Sequence, residues 1–159
     1  MTPAANLRSF PLWTCVASFV IALLLSIIPL PYVLNWLNPS WVLLVLIYWV
    51  LYRPYQLNIG GAFFIGLILD LLSNNILGQH AVLFVIISYG LVCFHKRIAL
   101  FPAPQQTLLV IGLCYFEKMG IFLTQAIINQ MPSSGLFWLA PLISGLLWLW
   151  WLLVRGAYS

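Results

Sequence analysis

Apolar residues along the chain fall into six runs, divided by short polar, charged or proline-bearing breaks. Residues 12–28 form the first run, closed by Pro29-Leu30-Pro31. Residues 40–52 form the second, opened by Asn38-Pro39-Ser40 and stopped by Arg53-Pro54. The third, 57–72, ends in Ser73-Asn74-Asn75, and the fourth, 79–94, runs into His95-Lys96-Arg97. The fifth covers 105–129, behind an apolar stretch at 98–104 that carries two prolines and is expected at the membrane surface. The sixth, 136–154, contains Trp138, Trp148, Trp150 and Trp151 and ends at Arg155. Each run predicts a helix, with polar clusters and prolines as its breaks. Asn38 is expected to cap the second helix, with Pro39 at its first helical position. At about 1.5 Å per residue that helix spans only about 20 Å, against about 30 Å of hydrocarbon. Either the uncharged aromatic segment 32–37 completes the crossing or helices two and three make a short hairpin; a crossing is the expectation. The first run is longer than the about 7–15 apolar residues of a signal peptide, and no small-x-small cleavage site follows it, so it is read as a retained helix.

Composition turns these helices into membrane helices. Of 159 residues, 64% are hydrophobic and 5% charged, with a mean hydropathy of +1.09; soluble domains carry about 25% charged residues. A soluble fold of this size has too much surface for its volume to hide so many apolar side chains. The expectation is one integral membrane domain over 1–159, an all-α bundle of six transmembrane helices. The net charge of +4 is no nucleic-acid signal. Arg8, Arg53, Lys96 with Arg97, and Arg155 lie before helix one and after helices two, four and six. No Lys or Arg follows helices one, three or five. Six crossings put all these flanking cations on one face, which the positive-inside rule makes cytoplasmic, along with both termini. Cys15, Cys93 and Cys114 all lie in apolar runs and form no CxxC pair, so neither a disulfide framework nor a metal site is expected, and the thiols read as buried spectators.

Candidate chemistry sits inside the apolar runs. Asn58, Ala62, Gly66 and Asp70 recur every fourth residue, one stripe of small or polar side chains on helix three. Small residues at that spacing let another helix backbone approach closely in lipid. An intramembrane carboxylate costs about 2.5–3.5 kcal/mol and so turns inward. Helix five carries Glu117 and Lys118 near its middle. Its eleven Leu, Ile, Val and Phe residues favour insertion by about 3–7 kcal/mol, close to the cost of the two charges. That helix therefore needs partners in a bundle. Adjacent residues diverge on a helix, so Glu117 and Lys118 should not neutralise each other. Depth along the helices puts Asp70 and Lys118 at similar levels, about 20 Å from the inner face, and predicts a contact between them; Glu117 stays ionised or takes up a proton. His80, after Gly78 at the outer start of helix four, reads as a capping or interface residue, and His95 as a neighbour of lipid headgroups.

The segments Gly66-Leu67-Ile68-Leu69-Asp70-Leu71-Leu72-Ser73 and Leu77-Gly78-Gln79-His80-Ala81 resemble the rod-shape-determining MreD family. So does Asn38-Pro39-Ser40-Trp41-Val42-Leu43-Leu44 leading to Tyr48-Trp49, and length, hydropathy and loop charges agree. The resemblance implies a component of the bacterial inner membrane that serves the cell-elongation machinery, with no enzymatic activity and no cofactor. It implies association with the scaffold MreC, and through it with MreB filaments and the glycosyltransferase–transpeptidase pair that builds lateral peptidoglycan. It also implies a fold like the substrate-binding S components of energy-coupling-factor vitamin transporters. Glu117 suits the family; Lys118 stands outside its pattern.

Two functions follow from these residues. In the first, a non-catalytic assembly protein, Asn58, Ala62, Gly66 and Asp70 shape the bundle and a groove for a partner helix. The alternative is a small-molecule transporter or substrate-binding subunit, with Asp70, Glu117 and Lys118 around a midplane site. The first predicts an apolar groove open to lipid, the second a closed polar pocket of about 300 Å³ or more. With two carboxylates and two histidines in the chain, an intramembrane enzyme is the least favoured class.

Overall fold

Helix two of the sequence, WVLLVLIYWVLY, has no polar face to turn outward, and such a helix belongs in an interior. It lies there in the computed structural model, which describes residues 12–29, 31, 38–54, 57–74, 76–128 and 135–157. The α-helices are α1 (Leu12–Ile27), α2 (Trp41–Tyr52), α3 (Ile59–Leu72), α4 (Gln79–Ile98), α5 (Ala103–Ile127) and α6 (Ala140–Ala157). A short 3₁₀ turn, Gly135–Trp138, precedes α6, and no strand occurs among the described residues. On α2, Val42, Leu43, Leu46, Ile47 and Val50 are fully buried. This helix touches α1, α4, α5 and α6. Around it, α3 packs along α4, α5 along α6, and α4 against α5. The expected lead around Arg8, the aromatic segment 32–37, Asn75 and the turn at 131–134 lie outside the described residues.

Six helices match the six apolar runs, with shifted ends. Ser40, not Asn38, is the N-cap residue of α2, and it makes no side-chain cap bond. Asn38 instead accepts a bond from the Trp41 indole N–H at 3.0 Å. α4 runs on through His95, Lys96 and Arg97 to Ile98, because basic side chains suit the negative end of a helix dipole. His95 bonds the Val92 carbonyl through Nδ1 at 2.7 Å. α5 starts at Ala103, behind Pro102 as N-cap; a proline in the first turn starts a helix as readily as it ends one.

Two helices, α4 and α5, are long and apolar enough to cross a membrane, and only 39% and 28% of their apolar windows are buried. α1, α2, α3 and α6 are apolar but shorter. Large apolar side chains cover the outside of the bundle, among them Trp13, Phe64, Leu108 and Leu146, each at least 65% exposed. Cys93 also faces outward, unlike the buried Cys15 and Cys114, so the expectation of three buried thiols fails at that position.

Contacts sort the helix ends into two groups. At one end Tyr52 Oη donates to Gln106 Oε1 at 3.2 Å, and Gln106 Nε2 donates to the Ile98 carbonyl at 3.1 Å. The Arg155 guanidinium sits 4.3 Å from the Tyr52 ring centre, a cation–π contact. The C-terminal ends of α2, α4 and α6 therefore meet the start of α5, and Arg53, Lys96, Arg97 and Arg155 collect at this basic end. The last residues of α1 and α3, the first of α2 and α4, and the 3₁₀ turn meet at the other.

Candidate functional site

The connection between α3 and α4 is held by one carboxylate. Asp70 lies two residues before the C-terminal residue of α3, Leu72, and is fully buried. It accepts the Gly78 N–H at Oδ2, 2.9 Å, and the His80 N–H, 3.1 Å from each of its oxygens. The His80 ring Nδ1 lies 2.6 Å from Oδ1. A carboxylate already accepting two backbone N–H groups makes that ring nitrogen the donor. Asp70 thus does for α4 what an N-cap side chain does, from the neighbouring helix: it satisfies orphan N–H groups at the positive end of the dipole. Gly78, the N-cap residue itself, has φ +95°, a conformation that favours glycine.

Gly66 completes this lock. A Cβ there would lie 2.4 Å from the Ala81 Cα and 2.6 Å from its nitrogen, so α3 touches the first turn of α4 backbone to backbone. Ala62 is fully buried on the same face. The stripe read from the sequence therefore holds at Ala62, Gly66 and Asp70. It stops at Asn58, which is exposed and sits at the helix start as an N-cap residue without a side-chain bond.

The predicted Asp70–Lys118 contact does not form. Among the described residues His80 is the ion-pair partner of Asp70, and no carboxylate lies within 4.0 Å of Lys118. The Lys118 ammonium instead lies 5.2 Å from the Phe137 ring centre. The donors that Asp70 takes instead come from Gly78 and His80, eight and ten residues on in the same hairpin. Glu117, 3% exposed, faces α2: Ser40 Oγ donates to its Oε2 at 2.5 Å. The Ser40 N–H donates in turn to Ser144 Oγ at 3.2 Å, and Ser144 Oγ donates to the Ala140 carbonyl at 3.1 Å. This chain ties α5, α2 and α6 together.

Glu117, Lys118 and His80 line one cavity of about 460 Å³, with Ser26, Asn38, Ser40 and Ser73 as further polar groups and Leu43, Leu69 and Phe137 among its apolar walls. It sits at the end of the bundle opposite the basic residues. The sequence reading missed Ser40 and Phe137. Ser40 stands at the mouth of α2 beside Asn38, and the capping signal there drew attention to the wrong side chain. Phe137 belongs to a 3₁₀ turn that hydropathy merges with the last helix.

A second concavity, about 320 Å³, opens on the flank of the bundle between α2 and α6. Trp41, Leu44, Tyr48, Trp49, Trp148 and Trp151 line it, with Ser18 of α1 contributing a polar group. Ser18 Oγ accepts the Trp49 indole N–H at 2.8 Å. The Trp148 indole N–H is buried and has no partner among the described residues. The flank concavity is the apolar groove expected of an assembly protein; the polar cavity reaches the size expected of a binding subunit but is open rather than closed.

The family model for rod shape-determining protein MreD matches residues 7–155. The chain belongs to the MreD family. A relative from Haemophilus influenzae, named rod shape-determining protein MreD, is 33% identical over 144 residues, covering 90% of this chain and 89% of its own. No solved structure matches the chain. As an MreD-family chain, it carries the resembling segments in two places. Gly66, Asp70, Gly78 and His80 build the α3–α4 lock, and the segment 38–44 places Ser40 against Glu117. The MreD match also spans Glu117, Lys118 and the whole polar cavity.

Proposed function

We propose that this chain is a non-catalytic, multi-pass component of the bacterial inner membrane that serves rod shape and lateral peptidoglycan synthesis through association with MreC. In this reading the chain crosses the membrane six times, with both termini and the basic end in the cytoplasm. MreB and the lateral-wall glycosyltransferase and transpeptidase join through MreC. Membership of the MreD family carries the reading. The collection of Arg53, Lys96, Arg97 and Arg155 at one end supports the orientation, since cytoplasmic loops carry the excess of Lys and Arg. The flank groove supports docking of an apolar transmembrane helix. It offers carbon and aromatic surface, against which an apolar helix packs.

Co-purification with MreC in detergent tests this. The wild-type chain should retain MreC, and cells depleted of the chain should lose rod shape. Val45→Phe, which fills the groove lined in part by Val45, should cut recovered MreC about tenfold, a loss of about 1.4 kcal/mol, without lowering the melting temperature. Rods that persist after depletion, with no MreC retained, would defeat the reading. A second reading, a small-molecule-binding or transport subunit, is favoured by one observation, the polar cavity of about 460 Å³.

A further inference from the structure

We infer that the polar cavity binds a compact zwitterion, its anionic group on Lys118 and its amine on Glu117. The inference does not rest on the rod-shape reading. The chain contains two acidic side chains, Asp70 and Glu117. Asp70 is occupied by two backbone N–H groups and the His80 ring. Glu117 uses one oxygen on the Ser40 hydroxyl. Lys118 is thus a half-buried cation at the end of the bundle opposite the basic residues, with no carboxylate within 4.0 Å among the described residues. Glu117 and Lys118 line the same cavity but leave the helix about 100° apart, because a helix turns once in about 3.6 residues. The cavity therefore presents a separated negative and positive group.

A purely anionic ligand would satisfy Lys118 and face Glu117 with a like charge. A cation would do the reverse. A molecule carrying both signs a few ångströms apart meets each with its complement. Its size is bounded by the volume. About 460 Å³ equals about fifteen water volumes at about 30 Å³ each, room for a small head of about ten to fifteen non-hydrogen atoms. Leu43, Leu69 and Phe137 give it an apolar wall. Two sources share this chemistry: a free ammonium-bearing acid or phosphate, and the phosphoethanolamine headgroup of a membrane lipid.

The test uses the full chain in detergent. Melting temperature is followed with glycerophosphoethanolamine and with glycerol 3-phosphate, which keeps the anion and lacks the amine. Native mass spectrometry compares retention of phosphatidylethanolamine and phosphatidylglycerol. Stabilisation by glycerophosphoethanolamine at a concentration at least tenfold lower than glycerol 3-phosphate supports a free or headgroup zwitterion. Selective retention of phosphatidylethanolamine without that response supports the lipid as source. Lys118→Met should abolish both responses and Lys118→Arg should keep them, while Glu117→Gln should erase the preference for the amine-bearing probe. Equal response to the two phosphates together with equal retention of the two lipids, or no response and no retention in the wild-type chain, overturns the proposal. These wild-type outcomes stand even where a variant fails to fold.

Discussion

At the scale of single residues, the α3–α4 lock makes sharp demands. Gly66→Ala puts a Cβ against the Ala81 backbone, which cannot swing aside as a side chain can. Overpacking of this kind costs about 1–3 kcal/mol, and melting in detergent should fall accordingly. Gly90→Ala on α4 meets nothing within 4 Å and should be neutral or raise the melting temperature, since glycine is the poorer helix former by about 1 kcal/mol. Asp70→Asn keeps the shape but loses the charge on three donors, and hydrogen bonds to charged groups are worth about 1.5–3 kcal/mol. A cycle with His80→Ala should give a coupling of about 0.5–3 kcal/mol; additive losses would mean that the ring bond contributes little. Among these residues, legibility was uneven. The four-residue spacing of Ala62, Gly66 and Asp70 announced a close helix contact. Nothing in that spacing named the partner of Asp70. Rise per residue gives level along a helix axis but not direction around it, and level alone points to Lys118.

At the scale of elements, apolar runs and their breaks located all six helices, because length and polarity leave a helical run little choice in lipid. Their ends moved where a residue type has two readings. Pro104 opens a first turn, and His95-Lys96-Arg97 extends a last one. The central place of α2 is legible in its sequence, an unbroken apolar surface on every side. Its start is anchored by Ser40 on Glu117. Ser40→Ala removes that hydroxyl donor from a carboxylate buried between helices, and leaving such a group short of a partner costs about 1–3 kcal/mol. The loss should appear as a lower melting temperature, and Ser40→Thr, which keeps the hydroxyl, should recover most of it.

At the scale of the whole molecule, the bundle has two chemically distinct ends. Cations gather at one, and the other holds a cavity where Glu117, Lys118 and His80 meet serine hydroxyls. Reporter fusions after Arg53 and Arg97 should report the same side of the membrane, as the contacts of Tyr52, Gln106 and Ile98 bring those two helix ends together. Opposite signals would break the six-crossing topology. The shared basic end was foreseeable from loop charge; the joining of residues from α1, α2, α3, α4 and α5 around one space was not, since it depends on how helices lean together.

The carboxylate that closes the α3–α4 connection also constrains biogenesis. On α3 alone Asp70 has no donor, because Gly78 and His80 lie beyond the end of that helix. Delivery of the two segments as one hairpin lets the acid and the bare amides quench each other before either enters lipid. A nascent chain stopped after Leu72 should therefore integrate poorly, and extension through α4 should restore integration in a glycosylation-mapping assay.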